Sequence, residues 1–234
     1  DHYPILKTGL GDTHLLNLEM VANSLKTNNG TDLRTFIWSN KETADNPHAG
    51  IDALEDLSLQ IYANLAFGSK DIAYFCYTSN ADSDSDTGSL VNYINYETSN
   101  IFTYATTINN HVHELENAYN HFTWDQIMTV GSCTQFSNLD HAVTSYGKLT
   151  SASSDQNTLI GCFKDMNDNN SFLVMNYQNT NVSNNAATIN LHFNNANYAI
   201  VYHNGMKHLH PLSSGTLTFN LAAAHGALII PISC

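Results

Sequence analysis

Residues 51–79 restrict the fold more than any other stretch, because they combine one complete helix with one buried strand and almost no connecting chain. Four apolar residues recur at helical spacing and predict one buried helix face: Leu54, Leu57, Ile61 and Leu65. Gly68 ends this helix, and residues 71–77 follow as an almost continuous apolar run. Such a run is typical of a strand that is buried on both faces of a parallel sheet. We also expect Asp52 and Glu55 to cap the start of the helix.

Strands and helices alternate in the same way from residue 1 to about residue 122. A helix is predicted from Asp12 or Thr13 to Gly30, and a strand over residues 33–38 follows it. A third helix carries apolar residues at alternating spacings of four and three from Ile101 to Tyr119. Since repeated strand and helix units favour a parallel sheet covered by helices, we expect this half to be of the α/β class.

The pattern changes near Asp125, where helical periodicity gives way to short apolar runs separated by turn residues. Residues 168–170 and 204–205 are typical of hairpin turns, because Asn and Gly tolerate a positive φ angle. We therefore expect an all-β region that forms an antiparallel β-sandwich of about eight strands. The predicted strands are residues 127–130, 159–163, 172–177, 188–193, 198–203, 207–210, 217–221 and 227–232. The predicted domains are residues 1–124 and residues 125–234.

The charge of the chain excludes some classes of partner. The chain has 8 Lys and Arg against 21 Asp and Glu, for a formal net charge of −13. Phosphate backbones and anionic bilayers are bound by clustered cations, so we expect neither nucleic acid nor a membrane as a partner. No apolar run approaches the roughly 18 residues that a membrane-spanning helix needs. The four cysteines lack a CxxC spacing, and we expect free thiols.

Three segments together resemble a known enzyme family. DHYP at the start, LSLQIYANLAFGSKDIAYFCYTS in the middle and a GSLVNY loop before a long helix are similar to the last third of a (β/α)8-barrel glycoside hydrolase. The β-galactosidase-like enzymes of family 42 are the relatives that the pattern suggests. The resemblance covers residues 1–132 well and the β-rich remainder in outline. It implies the last βα units of a TIM-type barrel followed by a β-sandwich, and three such units cannot close a barrel. We therefore expect the chain to be a fragment of a longer enzyme.

The resemblance also implies a site. Barrel glycosidases that retain configuration use two carboxyl groups about 5 to 5.5 Å apart, and their active sites lie at the carboxyl ends of the strands. The acid/base would come from a strand that this chain does not include. The nucleophile would be Glu42, although Glu42 stands four residues after Trp38 and later than the family pattern expects. The implied substrate-binding residues are Asp1, His2, Tyr3, Trp38 and Tyr77.

Each of these residues also has a purely structural interpretation. Glu42 would then be a solvated loop acid, and Trp38 an ordinary core residue. Asp1 and His2 would form a polar strand end, with Tyr3 packed against a neighbour. The two interpretations stay open at the level of the sequence.

Two other patterns suggest metal sites but lack a needed part. Alternating carboxylates resemble a calcium loop: Asp82, Asp84 and Asp86. Gly88 comes one place late for such a loop, and the distal glutamate is missing. His208 and His210 share one strand face and, together with His203, would suit a transition metal. We nevertheless expect no metal and no cofactor.

The sequence therefore predicts part of a retaining, β-galactosidase-like glycoside hydrolase that cleaves oligosaccharides. The alternative is a barrel that keeps the sugar-binding cleft without catalysis, as a carbohydrate-binding or regulatory protein. The expected partners are a carbohydrate substrate and the N-terminal remainder of the barrel, and self-association as a homo-oligomer is left open. The cellular location is also left open, with a slight preference for the cytoplasm over secretion.

Overall fold

A computed structural model describes residues 3–6, 9–28, 32–41, 50–78, 88–92 and 95–233. The helices in these ranges are α1 (His14–Thr27), α2 (Leu54–Ala66), α3 (Asn100–Tyr119) and the one-turn α4 (Thr134–Ser137). Four strands form two small sheets. In the first, β1 (Ile5–Leu6) pairs with β2 (Gly9–Leu10) in antiparallel fashion. In the second, β3 (Leu33–Trp38) pairs in parallel with β4 (Ser69–Phe75).

The chain from residue 123 to residue 232 is dominated by antiparallel strands. They are β5 (Thr123–Val130), β6 (Leu149–Ser154), β7 (Thr158–Lys164), β8 (Asn170–Asn176), β9 (Ala187–Phe193), β10 (Tyr198–His203), β11 (Met206–Pro211), β12 (Thr216–Leu221) and β13 (Gly226–Ile232). Six of them form one sheet in the order β11-β10-β13-β8-β7-β5, and three form a second sheet in the order β12-β9-β6. Every pairing within these two sheets is antiparallel.

The middle of the six-stranded sheet is buried on both faces, because two apolar clusters share it, whereas its edge strand β11 is mostly exposed. Phe172 and Val174 of β8 join a cluster with the three-stranded sheet, whose members include Ile189 and Leu191. Leu173 and Met175, the alternate residues of the same strand, join the cluster that α1, α2 and α3 form. The alternation follows from the two-residue period of a strand. The sheet therefore connects the helical part of the chain to the second sheet.

Helix α2 lies between the two kinds of sheet. Eleven of its residues are buried. The hydroxyl of Ser58 donates to the carbonyl of Ala224 at 2.9 Å, which joins α2 to a residue 166 positions later in the chain. The expected cap of α2 is wrong, because the N-cap residue is Ala53 and not Asp52. The carboxylate of Asp56 instead accepts the backbone N–H groups of Asp52 and Ala53, both at 3.0 Å. Burial raises the pKa of Asp56, although these two donors act in the opposite direction.

Strand β4 also differs from the expectation that it is buried on both faces. Phe36 of β3 is 54% exposed and Phe75 of β4 is 45% exposed. The sheet that β3 and β4 form has two strands in the described chain, and among the described residues helices cover only the face on which Ile37 is buried. The described residues leave the other face open, and its exposed aromatic rings define the neighbourhood of the site.

Two further expectations concern membranes and thiols. None of the described helices combines the length and the apolar character that crossing a bilayer takes. Cys76, Cys133 and Cys162 are free thiols, and Cys234 lies outside the described residues.

Candidate functional site

Three aromatic rings meet where the parallel strands β3 and β4 end. Trp38 and Phe75 are register partners at the last position of the two strands, and their ring centroids are 6.0 Å apart. Tyr3 adds a third ring, with its centroid 4.7 Å from that of Trp38 and 6.5 Å from that of Phe75. We call these three residues the aromatic rim. Because parallel strands end at the same edge of a sheet, the pairing of β3 with β4 places Trp38 and Phe75 side by side.

Gln60 of α2 holds the end of β3 in place. Its Oε1 accepts the backbone N–H of Trp38 at 2.8 Å, and its Nε2 donates to the carbonyl of Trp38 at 3.1 Å. The same Nε2 donates to the carbonyl of Asp56 at 3.2 Å. Gln60 is 1% exposed, so both ends of its amide are satisfied within the protein. The Gln60 side chain thus makes the two backbone hydrogen bonds to Trp38 that a neighbouring strand would otherwise make.

Uncharged polar groups lie beside the rim. The N–H of Ser39 donates to the carbonyl of Phe75 at 2.9 Å, and the Ser39 hydroxyl donates to the carbonyl of Cys76 at 3.3 Å. The side-chain oxygen of Asn40 accepts the N–H of Cys76 at 3.4 Å. These bonds extend the pairing of β3 and β4 by two residues and fix the backbone beneath the rings.

The electrostatic character of the rim is neutral. Burial, with a smaller contribution from the nearby Cys76 thiol, raises the pKa of Tyr3, so this ring keeps its hydroxyl proton at physiological pH. The contacts described above that position Trp38, Ser39 and Asn40 use amide, hydroxyl and carbonyl groups. Such a surface is suited to binding an uncharged ligand with an apolar face, since exposed aromatic rings supply contact area.

The structure brings together some of the residues that the sequence singled out. Tyr3 and Trp38 are in contact. Tyr77 lies beyond the end of β4, is 62% exposed, and accepts a hydrogen bond from the N–H of Val91 at its carbonyl oxygen. Asp1, His2 and Glu42 lie outside the described residues, so their roles stay predictions.

Two members of the site were not expected from the sequence. Phe75 sits in an apolar run that predicts burial, and only the open sheet face reveals its exposure. Gln60 lies on the buried side of α2, where its contact with Trp38 spans 22 positions of the chain. Gln60 stands between Leu59 and Ile61, and a polar residue between two apolar ones is the one signal that could have pointed to it.

The two sequence patterns that suggest metal sites have different outcomes. The loop that contains Asp82, Asp84 and Asp86 lies outside the described residues. The rings of His208 and His210 are 6.1 Å apart, and the ring of His203 is 6.4 Å from that of His225. Within the part of the chain that the structure covers, no group of three or more His, Cys, Asp or Glu residues is arranged to hold a metal ion.

The chain was compared with known proteins by sequence and by structure. No family model and no curated protein matches its sequence. Three of the solved structures that match are a family 30 endoxylanase from Clostridium papyrosolvens, a family 5 glycoside hydrolase from Bacteroides vulgatus and the catalytic domain of a family 30 xylanase C from Talaromyces cellulolyticus. Their TM-scores are 0.43, 0.47 and 0.36, and their sequence identities are 10%, 12% and 12%.

The coverage of these matches is uneven. They include 96%, 94% and 87% of this chain but 47%, 45% and 42% of the matched chains. The chain therefore spans less than half the length of these glycoside hydrolases. Likenesses with TM-scores below 0.5 and identities of 10% to 12% do not extend to activity or substrate. None of the three is described as a family 42 enzyme, and the resemblance to family 42 stays a prediction.

Proposed function

We propose that the chain forms the C-terminal part of a glycoside hydrolase-like protein, and that the aromatic rim binds carbohydrate in it. The observation that carries this proposal is the meeting of Tyr3, Trp38 and Phe75 at the carboxyl ends of two parallel strands, with Phe75 45% exposed. The apolar face of a pyranose ring packs on an aromatic ring, and Phe75 offers such a surface at the rim. In barrel enzymes this edge of the sheet holds the active site.

The finer form of the proposal is retaining hydrolysis of the β-galactosidase type. Glu42 would act as the nucleophile, because it is the first carboxyl group after the end of β3 in the chain and the reaction needs two nearby carboxyl groups. It stands later in the chain than the family pattern expects. The second carboxyl group, the acid/base, would come from the N-terminal remainder of the barrel. Tyr3, Trp38 and Phe75 would then hold the sugar ring, and Tyr77 would contact a more distant unit of the substrate.

The open face of β3 and β4 supports a partner that supplies this remainder. Phe36 lies two residues before Trp38 on the same side of the strand and is 54% exposed. Parallel sheets are normally covered on both faces, and closure into a barrel would place Phe36 inside it. The rim itself would stay open at the mouth of that barrel.

The alternative is a carbohydrate-binding or regulatory protein that does not hydrolyse its ligand. One observation favours it: the side chain that follows Trp38 and Ser39 at the rim is the amide of Asn40, and this amide is 8% exposed and bonded to Cys76. A carboxamide in this place neither transfers protons nor forms a glycosyl intermediate.

The experiment that tests the binding proposal is calorimetric titration of the whole chain with xylo-, galacto- and gluco-oligosaccharides. Phe75→Ala is expected to raise Kd about tenfold by removing one stacking surface. Phe102→Ala is the matched control, because Phe102 is an exposed ring on α3, 38% accessible and outside the rim. Equal effects of the two variants, or no binding of any of these oligosaccharides, would show that the rim is not a carbohydrate site.

Hydrolysis is tested separately in the longer protein. Glu42→Gln is expected to abolish turnover while leaving oligosaccharide binding at the rim in place. Unchanged turnover would remove Glu42 from the mechanism. A wild-type protein that binds but does not hydrolyse would favour the alternative.

A further inference from the structure

Three histidine rings meet where helix α3 contacts the hairpin that β10 and β11 form. His111 comes from the middle of α3, His203 is the last residue of β10, and His225 directly precedes β13. The ring centroids of His203 and His225 lie 6.4 Å apart, with an angle of 74° between the ring planes. His111 lies against the hairpin turn, because a Cβ atom added to Gly205 would be 3.5 Å from its Cδ2. We call these three histidines the histidine junction, and all three are half-buried.

The hairpin is held at its base and at its turn. At the base, Tyr202 and Ile200 of β10 pack into the apolar cluster that the helices form. At the turn, the side-chain oxygen of Asn204 lies 3.2 Å from Nδ1 of His225. Strand β11 is the edge of the six-stranded sheet and is mostly exposed. The turn and β11 can therefore move away from α3 while the middle of the sheet stays paired.

Two ring nitrogens of the junction have no acceptor for an additional proton. Nε2 of His203 and Nδ1 of His111 are buried, and neither makes a hydrogen bond to a described residue. A neutral imidazole carries one N–H group and an imidazolium carries two. Whichever tautomer is present, protonation of either ring would leave an N–H group at an atom that has no partner. A buried donor without an acceptor is unfavourable, and a buried unpaired charge is more so.

The groups that act on His203 would repel a positive charge there. His225, His111 and His208 each oppose protonation of His203 as like charges. The carboxylate of Glu55 on α2 favours protonation of His225, but it does not act on His203. The junction therefore lacks a compensating carboxylate for its central ring among the described residues.

The other charged groups on the packed elements are engaged elsewhere. On α3, the carboxylate of Glu116 is paired with His113 at 2.9 Å. On β11, the ammonium group of Lys207 lies over the ring of Tyr202, 5.5 Å from its centroid, and adds a positive charge to the hairpin. Strand β13 carries no titratable side chain. Acidification therefore adds positive charge to a contact that already contains a lysine.

From these contacts we infer that the histidine junction is a pH-sensitive contact between α3 and the hairpin, closed while its rings are neutral and opened when they take up protons. Opening gives the ring nitrogens access to water, which accepts the hydrogen bonds that the closed contact cannot accept. Since α3 belongs to the helical part of the chain and the hairpin to the six-stranded sheet, opening loosens one connection between these parts. The inference goes beyond the proposed function and does not depend on it.

The pKa values have the direction that such a contact requires. Burial lowers the pKa of His203 to about 4, and the neighbouring histidines add to the shift. An unperturbed histidine has a pKa near 6.5, so the open form binds more protons between pH 6.5 and pH 4, and the closed form is lost as the pH falls through this range. For His203 alone, pKa values of about 4 and about 6.5 increase the open fraction roughly thirtyfold at pH 5.

Hydrogen exchange of the whole chain, measured by mass spectrometry at pH 7.5 and pH 5.0, tests the inference. After correction for the intrinsic exchange rates, residues 203–211 are expected to exchange roughly thirtyfold faster at pH 5.0. Residues 158–176, which contain β7 and β8, are expected to keep their protection. An equal loss of protection in both regions would indicate unfolding of the whole chain and overturn the inference. Unchanged protection of residues 203–211 would overturn it as well.

Variants show whether the histidines are the groups that respond. His203→Phe is expected to reduce the response of residues 203–211 to a few-fold, and His111→Phe to reduce it in part, because each removes one of the buried titrating rings. His121→Phe, at an exposed position just after α3, is the matched control and is expected to keep the full response. A full response in folded His203→Phe protein would overturn the inference. If that variant does not fold, a full response in His111→Phe would do so.

Proton NMR of the ring Cε1–H signals gives an independent measurement on the unmodified chain. The titration midpoint of His203 is expected to lie below that of His121, with the signals assigned from the two single variants. The amide signal of Gly205 is expected to shift over the same pH range as His203. A midpoint of His203 at or above that of His121 would overturn the inference.

Discussion

A Cβ atom added to Gly161 would lie 2.1 Å from the backbone carbonyl oxygen of Ala66. Ala66 is the last residue of α2, and Gly161 lies in the middle of β7. The end of the helix therefore rests directly on the backbone of the six-stranded sheet, and the absence of a side chain at Gly161 sets the distance between them.

We predict that Gly161→Ala lowers the free energy of unfolding by about 2 to 3 kcal/mol, because the backbone of α2 cannot move aside as a flexible side chain would. Urea unfolding followed by circular dichroism measures this change. Gly88→Ala is the matched control, since its new methyl group would lie 3.7 Å from the Cβ of Ser99, an ordinary contact distance. Equal losses in the two variants would contradict the close approach of α2 to the sheet.

Gln60 offers a test of how the rim is positioned. We predict that Gln60→Glu lowers the free energy of unfolding by about 2 to 3 kcal/mol, because a carboxylate cannot donate to the carbonyl of Trp38 and would be buried as a charge. Oligosaccharide affinity at the rim should fall at the same time, since the end of β3 loses one of its two anchors. Gln126→Glu on β5 is the control. Full affinity in folded Gln60→Glu protein would show that Gln60 does not position Trp38.

Asp125 joins three elements through its carboxylate. It lies 2.6 Å from the ammonium group of Lys26 and 3.4 Å from that of Lys164, and it accepts the hydroxyl of Tyr146 at 2.7 Å. Burial alone would raise the pKa of Asp125, but the hydrogen bonds from Lys26 and Tyr146 and the two positive charges outweigh it and hold this pKa below its usual range.

We predict that Asp125→Asn destabilises the chain by about 1 to 3 kcal/mol at pH 7. A carboxyl group whose pKa is lower in the folded state stabilises it above the unfolded pKa, near 3.9, and this stabilisation is lost as the pH falls through the folded pKa. The difference between wild type and variant should therefore shrink below about pH 4. Asp71→Asn is expected to change little, because the Arg34 and Asp71 pair is exposed and 3.9 Å apart. A difference that is constant from pH 7 to pH 3 would rule out the charge as its cause.

A group of histidines predicts a further pH dependence. Burial lowers the pKa of His203 to about 4, and the neighbouring His225, His111 and His208 add to the shift. Burial also lowers the pKa of His225, where Glu55 acts in the opposite direction, and that of His111.

Because the pKa of folded His203 is below its unfolded value of about 6.5, the unfolded chain binds more protons between these two values. Stability is therefore expected to fall as the pH decreases from 6.5 towards 4. His203→Phe should flatten this part of the melting-temperature profile, whereas His121→Phe, at an exposed position, should not. A wild-type profile that is flat from pH 6.5 to pH 4 would contradict the burial of His203.

Much of the fold follows from local patterns in the sequence. The predicted strand at residues 198–203 coincides with β10, and the run at residues 159–163 lies within β7. Strand β6 was not predicted, because LTSASS contains Leu149 as its single large apolar residue. This strand lies at the edge of the three-stranded sheet, where backbone pairing with β9 holds it. Pairing of this kind leaves no periodic signal in the sequence.

The site was less accessible to prediction, because it depends on contacts between distant parts of the chain. Trp38 and Tyr3 were singled out by the resemblance together with their places near strand ends. The third ring, Phe75, became evident only when the register of β3 and β4 placed it opposite Trp38.

Strand β8 has apolar neighbours on both sides, and these neighbours restrict which side chains its sequence can accept. In a strand with one wet face, every second position accepts polar residues. A library randomised at Phe172, Leu173, Val174 and Met175 and selected for folding should instead return apolar side chains at all four consecutive positions. At each of them the side-chain volume should be restricted by a different set of neighbours.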